Sequence, residues 1–428
     1  MSNARLKDTA IEREYRARTA KSAELMERAA RSITGGNTRT TVFHPPYPVV
    51  FERGSGPWLW DVDGNRYLDL FYNGLSIIHG HDYPPIREAI TSRLSDGMAL
   101  GNISDELVSF AELLQARLPN AELLRFTNSG SEAGMIAVRV ARAVTGRPLI
   151  LKAERAYHGS YSDLEAGLYG FRDMPGRALI AEFNNVASFE KVLAEHGRDI
   201  AAVVLEPIMF TGRVIPPEPG FLTGVQALAK KHGAVFILDD CLMFRLAEGG
   251  SAERFGLDPD LIMLGKFLGG GTPMGAVAGR AEIMSILDPR KGGSVFHGGS
   301  FNGNRIGAAA GRVAVADLTA GAIAAMDGRA IQLRQALKAK ADALGLPVAV
   351  TGAGSVLGIA FLNDPARHED DPSAFGVSVL FQLACLNRGV SFAPGGVMAL
   401  ATMVDDAALA HGVSAMEAAL EAVAELTG

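Results

Sequence analysis

The chain has few cysteines, no long uninterrupted apolar run and no excess of positive charge, and each shortage excludes a class of protein. Only Cys241 and Cys385 occur in 428 residues, too few for the disulfide framework of a small secreted protein. We therefore expect a reducing, cytoplasmic compartment. The 41 basic and 47 acidic residues leave a formal charge of −6. Because nucleic-acid binding needs a basic surface, we expect no nucleic-acid partner.

Neither the N-terminus nor the most apolar internal stretch has the composition of a secretion or membrane signal. Residues 1–18 alternate in charge and lack the apolar segment of a signal peptide. Residues 306–326 are rich in alanine but are interrupted by Arg312 and Asp317, which predicts a buried helix and not a membrane span. We therefore expect neither secretion nor a membrane partner.

Glycine, in contrast, is abundant. The chain has 49 glycines, whereas an average usage of about 7% would give roughly 30. A Gly-X-Y period is missing, which excludes collagen, and the apolar (48%) and charged (21%) fractions are those of an ordinary globular protein. The surplus predicts turns, close backbone approaches or loops that surround a ligand.

The length and the order of apolar segments predict an α/β protein. A chain of this length is sufficient for two to three structural units of roughly 100–200 residues each. Beyond residue 122, short apolar segments alternate with helix-like ones, a pattern typical of a mostly parallel sheet with helices on its faces. The predicted strands are residues 123–127, 148–152, 200–206, 234–239, 261–264 and 275–279. The predicted helices are residues 84–94, 104–118, 132–143 and 220–231.

Two smaller regions flank this sheet in the sequence. The N-terminal region is predicted to hold a helix over 4–33 and a hairpin over 58–69, around an Asp63-Gly64 turn. The C-terminal region is predicted to hold two paired strands and two helices, over 347–351, 356–361, 374–388 and 405–426. We therefore expect a large α/β domain and a smaller α+β domain. The predicted segments are 1–75 (part of the small domain), 76–315 (the large domain) and 316–428 (the rest of the small domain).

Polar and glycine residues follow the predicted strands at positions suited to bind an anion. Ligands of open parallel sheets bind at the carboxyl ends of the strands. Strand 123–127 is followed by Asn128-Ser129-Gly130-Ser131-Glu132, which opens a helix, and free N–H groups at a helix N-terminus bind phosphate. The segment 298–304, which contains Gly299 and Ser300, has a similar composition before a helix. A plain helix cap is the alternative for the first segment.

Three further strand ends carry residues suited to chemistry. Asp239 ends a buried strand, where a carboxylate needs a metal, a capping contact or a protonated ring nitrogen as its partner. Lys266 follows another strand among apolar residues and glycines, and desolvation favours the neutral amine that Schiff-base chemistry needs. A lysine that extends into water is the alternative. Tyr157-His158, before a glycine, suits either stacking on a flat ligand or packing within its loop.

Taken in order, these residues resemble the class III aminotransferases, which are pyridoxal-phosphate (PLP) enzymes of fold type I. The matching elements are Ser129-Gly130-Ser131, Tyr157-His158, Leu205-Glu206-Pro207, Asp239, Lys266 and Gly299-Ser300. The acid and the lysine are 266 − 239 = 27 residues apart, and the resemblance extends from about residue 25 to the C-terminus. The chain most resembles the branch that contains glutamate-1-semialdehyde aminomutase and the β-amino-acid aminotransferases.

The resemblance implies roles for the residues around the cofactor ring. Lys266 would form the Schiff base with PLP and then move a proton. Asp239 would pair with the pyridinium nitrogen and keep the ring an electron acceptor. Tyr157 would stack on the ring with His158 beside it. Glu206 would stand on the side of the ring hydroxyl or behind the residues that touch the ring.

The resemblance also implies how the phosphate and the substrate are bound. Ser129, Gly130 and Ser131 would hold the phosphate, and Gly299-Ser300 would reach it from the other subunit of a homodimer whose active sites lie at the interface. The segment around Arg39 resembles the N-terminal substrate loop of the β-amino-acid branch. A guanidinium group suits bidentate binding of a carboxylate, and an arginine in a surface loop is the alternative.

Two segments depart from the family pattern. Asp239-Asp240-Cys241 stands where the family usually has Asp-Glu-Val, so Cys241 would take the place of the branched side chain under the ring. Ala393-Pro394-Gly395-Gly396 stands where related β-amino-acid aminotransferases have an arginine that grips a carboxylate. This second departure leaves open whether the acceptor is of the 2-oxoglutarate type.

The sequence thus predicts a PLP-dependent aminotransferase that moves an amino group from a carboxylate-bearing donor, with a β-amino acid favoured, to an oxo acid. Intramolecular amino transfer by an aminomutase is the first alternative. A nicotinamide-dependent oxidoreductase on a similar sheet and a non-catalytic relative that retains the fold are the others. We expect no metal, because His79 and His81 lack a third ligand at metal spacing. The glycines of 352–358 precede strand-like residues, unlike a dinucleotide-binding loop.

Overall fold

The fold was taken from a computed structural model, which describes residues 8–97, 99–168, 176–293, 295–362 and 372–427. The chain divides into two compact units. The first unit comprises residues 1–83, 212–215 and 324–428, and the second comprises residues 84–211 and 216–323. Residues 4–7 of the predicted N-terminal helix lie outside the described ranges. The segment boundaries at 75 and 315 stay predictions.

Helices and strands alternate through most of the chain. The helices are α1 (Ala10–Arg18), α2 (Ala20–Ala29), α3 (Tyr72–Leu75), α4 (Pro84–Leu94), α5 (Asp105–Arg117), α6 (Gly130–Thr145), α7 (Ser162–Glu165), α8 (Val186–His196), α9 (Phe221–Lys231), α10 (Gly250–Phe255), α11 (Ala281–Met284), α12 (Arg305–Ala316), α13 (Ala320–Ala343), α14 (Pro372–Asn387) and α15 (Asp406–Thr427). The strands are β1 (Phe51–Ser55), β2 (Trp58–Asp61), β3 (Arg66–Asp69), β4 (Leu123–Thr127), β5 (Leu149–Ala153), β6 (Ala178–Ala181), β7 (Ile200–Leu205), β8 (Val235–Asp239), β9 (Leu261–Leu264), β10 (Gly275–Gly279), β11 (Ala349–Ala353), β12 (Val356–Ala360), β13 (Val390–Ser391) and β14 (Val397–Ala399).

The second unit is built on a seven-stranded sheet with the strand order β4-β10-β9-β8-β7-β5-β6. β9, β8, β7, β5 and β6 run parallel, while β10 runs antiparallel to both of its neighbours. Every residue of β7, β8 and β9 is buried, as expected of strands covered on both faces. The predicted α/β fold with a mostly parallel sheet, as in the PLP enzymes of fold type I, is confirmed.

The first unit contains two small sheets and the remaining helices. One sheet has the order β1-β2-β3-β13 and the other the order β11-β12-β14. The predicted hairpin at Asp63-Gly64 forms between β2 and β3, and the glycines of 352–358 lie in and around the β11–β12 hairpin. The prediction that strand residues accompany the glycines of 352–358 is therefore confirmed, whereas a dinucleotide-binding loop opens a helix.

The predicted helix over 4–33 is wrong in one respect, because it breaks at Thr19 into α1 and α2. The carboxylate of Asp63, in the β2–β3 turn, accepts hydrogen bonds from the backbone N–H groups of Lys21 (2.7 Å) and Ser22 (3.0 Å). Asp63 thereby satisfies donors at the start of α2 that a continuous helix would have used internally. A contact 42 residues distant in sequence thus decides where this helix ends.

The alanine-rich region predicted as a buried helix forms α12 and the beginning of α13. Within the described ranges, no single helix is both long and apolar enough to cross a membrane. Only α12 and α13 together pass that test, as a pair bent by 74°. In α12 the small residues from Gly307 to Gly311 are all buried.

Candidate active site

The residues predicted to surround the cofactor ring lie at the carboxyl ends of four strands of the seven-stranded sheet. Asp239 is the last residue of β8, and Lys266 follows the adjacent strand β9 after one glycine. Glu206 follows β7 on the other side of β8, and the loop after β5 carries Tyr157 and His158. Because these strands are parallel, their carboxyl ends lie together, and the sheet brings the side chains to one place.

Asp239 is a buried carboxylate held by two hydrogen bonds. Its Oδ2 lies 2.8 Å from Nδ1 of His158, and its Oδ1 accepts from the backbone N–H of Cys241 at 3.1 Å. Burial alone would raise the pKa of Asp239, but the contact with His158 and the charge of Lys266 outweigh it and lower the pKa. Burial also lowers the pKa of His158 despite the facing carboxylate. The pair is therefore best described as an ionised Asp239 and a neutral imidazole that donates from Nδ1.

Lys266 lies in a sharp turn directly after the sheet. Its φ is 54°, in the left-handed region, which costs a non-glycine residue about 1–3 kcal/mol and is common at functional sites. The residue is half-buried, and its charge lowers the pKa of both Asp239 and Glu206. The amine of Lys266 therefore interacts electrostatically with both buried carboxyl groups.

Glu206 is buried with one carboxyl oxygen left without a partner among the described residues. Oε2 accepts a hydrogen bond from the N–H of Phe210 at 3.3 Å, whereas Oε1 has no partner. Burial, with a contribution from Asp239, raises the pKa of Glu206 to about 8. At neutral pH this group is therefore mostly a neutral acid, with an O–H that is able to donate to a ligand oxygen.

The segment for which the sequence predicts an anion site lies at the N-terminus of α6. Ser129 caps the helix, since its Oγ accepts from the N–H of Glu132 at 3.2 Å. Within the described part of the chain, the N–H groups of Gly130 and Ser131 have no acceptor. Free N–H groups at the start of a 16-residue helix suit a phosphate.

Close backbone packing shapes this anion site. A Cβ on Gly130 would lie 2.8 Å from Sγ of Cys241, and a Cβ on Gly265 would lie 3.0 Å from Cα of Gly130. Gly159 has a φ of +115°, and a Cβ there would lie 2.6 Å from Cα of Ser131. Glycine is therefore required at these positions, because any side chain would displace neighbouring atoms.

One hydrogen bond joins the segment that contains Gly299 and Ser300 to the segment of the predicted anion site. Nδ2 of Asn128 donates to Oδ1 of Asn302 at 2.7 Å, which joins the loop before α6 to the loop before α12. Ser300 itself is exposed, as is the neighbouring Phe301 (63% exposed). An exposed hydroxyl fits either a solvent contact or a second subunit.

In the first unit, Arg39 is an exposed residue held by two neighbours. Its Nη2 donates to Oδ1 of Asn73 at 2.5 Å, and its guanidinium carbon lies 5.9 Å from the centre of the Phe71 ring. Asn73 belongs to α3, whose residues Tyr72 to Leu75 all have positive φ. Asn73, in a strained backbone turn, therefore orients the guanidinium through one of its five N–H groups.

The two departures from the family pattern have distinct surroundings. Asp240 is buried next to Cys241, where its Oδ2 accepts from the N–H of Ser251 at 3.0 Å and burial raises its pKa to about 7. In the first unit, a Cβ on Gly395 would lie 3.1 Å from Nη1 of Arg213. A guanidinium group therefore occupies the space beside Gly395. It belongs to Arg213 and not to the segment 393–396, where related β-amino-acid aminotransferases have their arginine.

The described residues contain no group of three or more His, Cys, Asp or Glu side chains that could hold a metal ion. Comparison with protein families identifies one match: residues 41–420 fit the model of class III aminotransferases. The chain belongs to this family.

Individual proteins and solved structures resemble this chain over most of its length. A glutamate-1-semialdehyde 2,1-aminomutase from Myxococcus xanthus is 39% identical over 398 residues, which cover 88% of this chain and 91% of that protein. The structure of a β-phenylalanine aminotransferase from Variovorax paradoxus is 31% identical, with a TM-score of 0.90, over 97% of this chain and 96% of that one. A transaminase with PLP bound is 31% identical, also with a TM-score of 0.90, over 95% of this chain and 98% of that one.

The cofactor of this class III enzyme is PLP, and the residues at the sheet edge fit that molecule. The ionised Asp239 suits a protonated ring nitrogen, and the unpartnered Oε1 of Glu206 suits a polar group on the ring. The free N–H groups at Gly130 and Ser131 suit a phosphate, in a cradle that a Cβ at either glycine, 130 or 159, would fill.

Sequence reasoning missed three residues that the structure places at these sites. Asn73 holds the side chain of Arg39, and Asn302 joins the two glycine-containing loops. Lys152 is fully buried in β5. Only Lys152 had a signal in the sequence, because a lysine within an apolar strand is rare and implies a specific partner.

Proposed function

We propose that this class III enzyme is an aminotransferase in which Lys266 and Asp239 carry out the central chemistry. The observation that carries the proposal is the ionised, buried Asp239, which His158 holds from one side while Lys266 follows the adjacent strand. A cationic ligand would stabilise this buried, ionised carboxylate further, and the protonated ring nitrogen of PLP has that charge.

Each residue around the cofactor has its own role in the proposed reaction. Bound PLP supplies a ring that accepts electrons when a proton leaves the carbon next to the amino group. Nζ of Lys266 would hold the cofactor until the amine of the donor displaces it, and the released lysine amine would then take and return that proton. Asp239 keeps the proton on the ring nitrogen, and His158 orients Asp239. Ser129, Gly130 and Ser131 bind the phosphate, and Tyr157 (40% exposed) covers the ring.

A β-amino acid is the amino donor that we favour. Arg39 provides an oriented guanidinium for a carboxylate. The similarity to the β-phenylalanine aminotransferase supports this donor class, whereas the similarity to the glutamate-1-semialdehyde 2,1-aminomutase supports the alternative of intramolecular transfer.

The need for an acceptor separates these two functions. We expect the protein, loaded with PLP, to convert a β-amino acid only when an oxo acid is added, because the amino group must leave the enzyme before the next turnover. The measurement is product formation from a panel of α- and β-amino acids with pyruvate, with 2-oxoglutarate and without acceptor. Isomerisation of glutamate-1-semialdehyde without any acceptor would favour the aminomutase and contradict the transaminase.

Arg39→Ala is expected to raise KM for carboxylate-bearing donors at least tenfold, since a charge-assisted bidentate contact contributes roughly 1.5–3 kcal/mol. The visible absorption of the bound cofactor should stay unchanged, because Arg39 is assigned to the substrate. Steady-state kinetics with carboxylated donors and with an amine that lacks a carboxylate test this role. Arg31→Ala, at another exposed arginine of the same unit, is the control. An unchanged KM in Arg39→Ala would exclude the role.

We further propose a homodimer in which the segment with Gly299 and Ser300 meets the partner subunit. Two large apolar side chains close to this segment in sequence are unusually exposed: Phe296 (80%) and Phe301 (63%). Large apolar side chains exposed on a surface are typical of protein interfaces. A solution mass of about 90 kDa (2 × 45.2 kDa) by sedimentation is the result that the proposal requires.

A further inference from the structure

Lys152 is a completely buried lysine that none of the proposed steps uses. It is the fourth residue of β5, between β6 and β7, and its relative exposure is 0%. Lysine is almost never fully buried without a specific partner, because removing an ammonium group from water is costly. Burial lowers the pKa of Lys152 to about 8, although the nearby Glu206 opposes this shift.

The ammonium group of Lys152 donates to two backbone carbonyls that belong to one loop. Nζ lies 2.8 Å from the carbonyl oxygen of Ala156 and 2.5 Å from that of Ala166. Ala156 lies three residues after the end of β5 and Ala166 directly follows α7, so Lys152 joins the two ends of the loop 156–166. A second contact fixes the outgoing end, where Thr211 donates to the carbonyl of Arg155.

The loop 156–166 carries several of the groups assigned to the cofactor. His158 reaches Oδ2 of Asp239, and the backbone N–H of Ser160 donates to Oγ of Ser131 at 3.1 Å. Gly159 packs against the backbone of Ser131. The position of the loop base therefore controls both the partner of Asp239 and the packing at the anion site.

We propose that Lys152 is a positioning residue of the cofactor site: its ammonium group joins the ends of loop 156–166 and thereby holds His158 against Asp239. The inference rests on the proposed function, which assigns this loop to the cofactor. An apolar residue of the same length would fill the space but would leave two buried carbonyls without a donor, and the loop would shift to find water.

The test compares the affinity for PLP of Lys152→Met with that of the unchanged protein. We expect the dissociation constant of PLP, from titration of the cofactor-free protein, to rise at least tenfold. At saturating PLP, kcat should fall at least tenfold, while KM for the amino donor changes less than twofold. Lys191→Met, at an exposed lysine on α8 in the same unit, is the matched control and should match the unchanged protein.

Two further variants separate the possible failures. His158→Gln should also weaken PLP binding if the proposed site is right; no effect of His158→Gln would contradict the site itself. If His158→Gln weakens binding but Lys152→Met leaves the dissociation constant within twofold, only the Lys152 inference is overturned, even if the unfolding temperature falls. Lys152→Gln, which keeps N–H donors, serves if Lys152→Met is insoluble. Failure of both Lys152 variants to fold would also overturn the inference, because the residue would then act in the core alone.

Discussion

Lys266→Ala is expected to reduce turnover roughly 10⁴-fold or more, because the proposed function assigns to this amine both the attachment of the cofactor and the proton transfer. The visible absorption band that comes from the cofactor joined to the lysine should disappear. The loss should leave the fold intact, since the turn at Lys266 is held by backbone contacts. Lys266→Ala removes only side-chain atoms, so the hydrogen bond from the N–H of Leu268 to the carbonyl of Gly265 remains.

The measurements for this variant are single-turnover kinetics, absorption spectra and retention of PLP after gel filtration. We expect Lys266→Ala to keep measurable PLP affinity, because Asp239 and the N-terminus of α6 are unchanged. Lys191→Ala, on the outer surface of the same unit, should retain both the spectrum and the activity. Substantial amino transfer by Lys266→Ala would be incompatible with the assigned role.

Asp239→Asn is expected to reduce turnover roughly 10³-fold, in line with the removal of a buried electrostatic partner in other enzymes. The change is nearly isosteric, but it removes the negative charge that would face the ring nitrogen. It also removes one of two acceptors, since both the N–H of Cys241 and Nδ1 of His158 use this carboxylate. One of these donors would then face an NH₂ group, which weakens PLP binding as well.

The neighbouring acid provides a matched control within the same turn. Asp240 is equally buried, but its pKa is raised to about 7, so at neutral pH and below much of it is already protonated. An amide resembles a protonated carboxyl group, and its oxygen can still accept from the N–H of Ser251. We therefore expect Asp240→Asn to keep turnover within about threefold. If Asp239→Asn and Asp240→Asn reduced turnover equally, the structure of the turn, and not the charge of Asp239, would explain the loss.

Much of the large unit was predictable because its strands are short, apolar and buried on both faces. The predicted strands at 123–127, 261–264 and 275–279 agree with the structure to the residue. The direction of β10 was not predictable, because a buried apolar strand has the same composition whether it runs parallel or antiparallel to its neighbours. β6 was missed because this edge strand is only partly buried, unlike the equally short β9, and half of its residues are alanines.

The residues of the candidate site also divide into those that the sequence predicted and those that it did not. Ser129, Asp239 and Lys266 were predictable, because each combines an unusual residue type with the end of an apolar strand. Asn73 and Lys152 were not assigned, because their roles depend on contacts with Arg39 and with a returning loop. Such contacts leave no periodic pattern in the sequence.

The sequence by itself determined the fold class, the family resemblance and the order of the residues around the cofactor, since these depend on local composition at strand ends. Only the tertiary structure decided the protonation of Asp239, Glu206 and Asp240, because burial and neighbouring charges set those pKa values. It also decided that a guanidinium, that of Arg213, lies beside Gly395. The physical reason is that a side chain's environment consists of atoms that are distant in sequence, whereas composition describes only its neighbours along the chain.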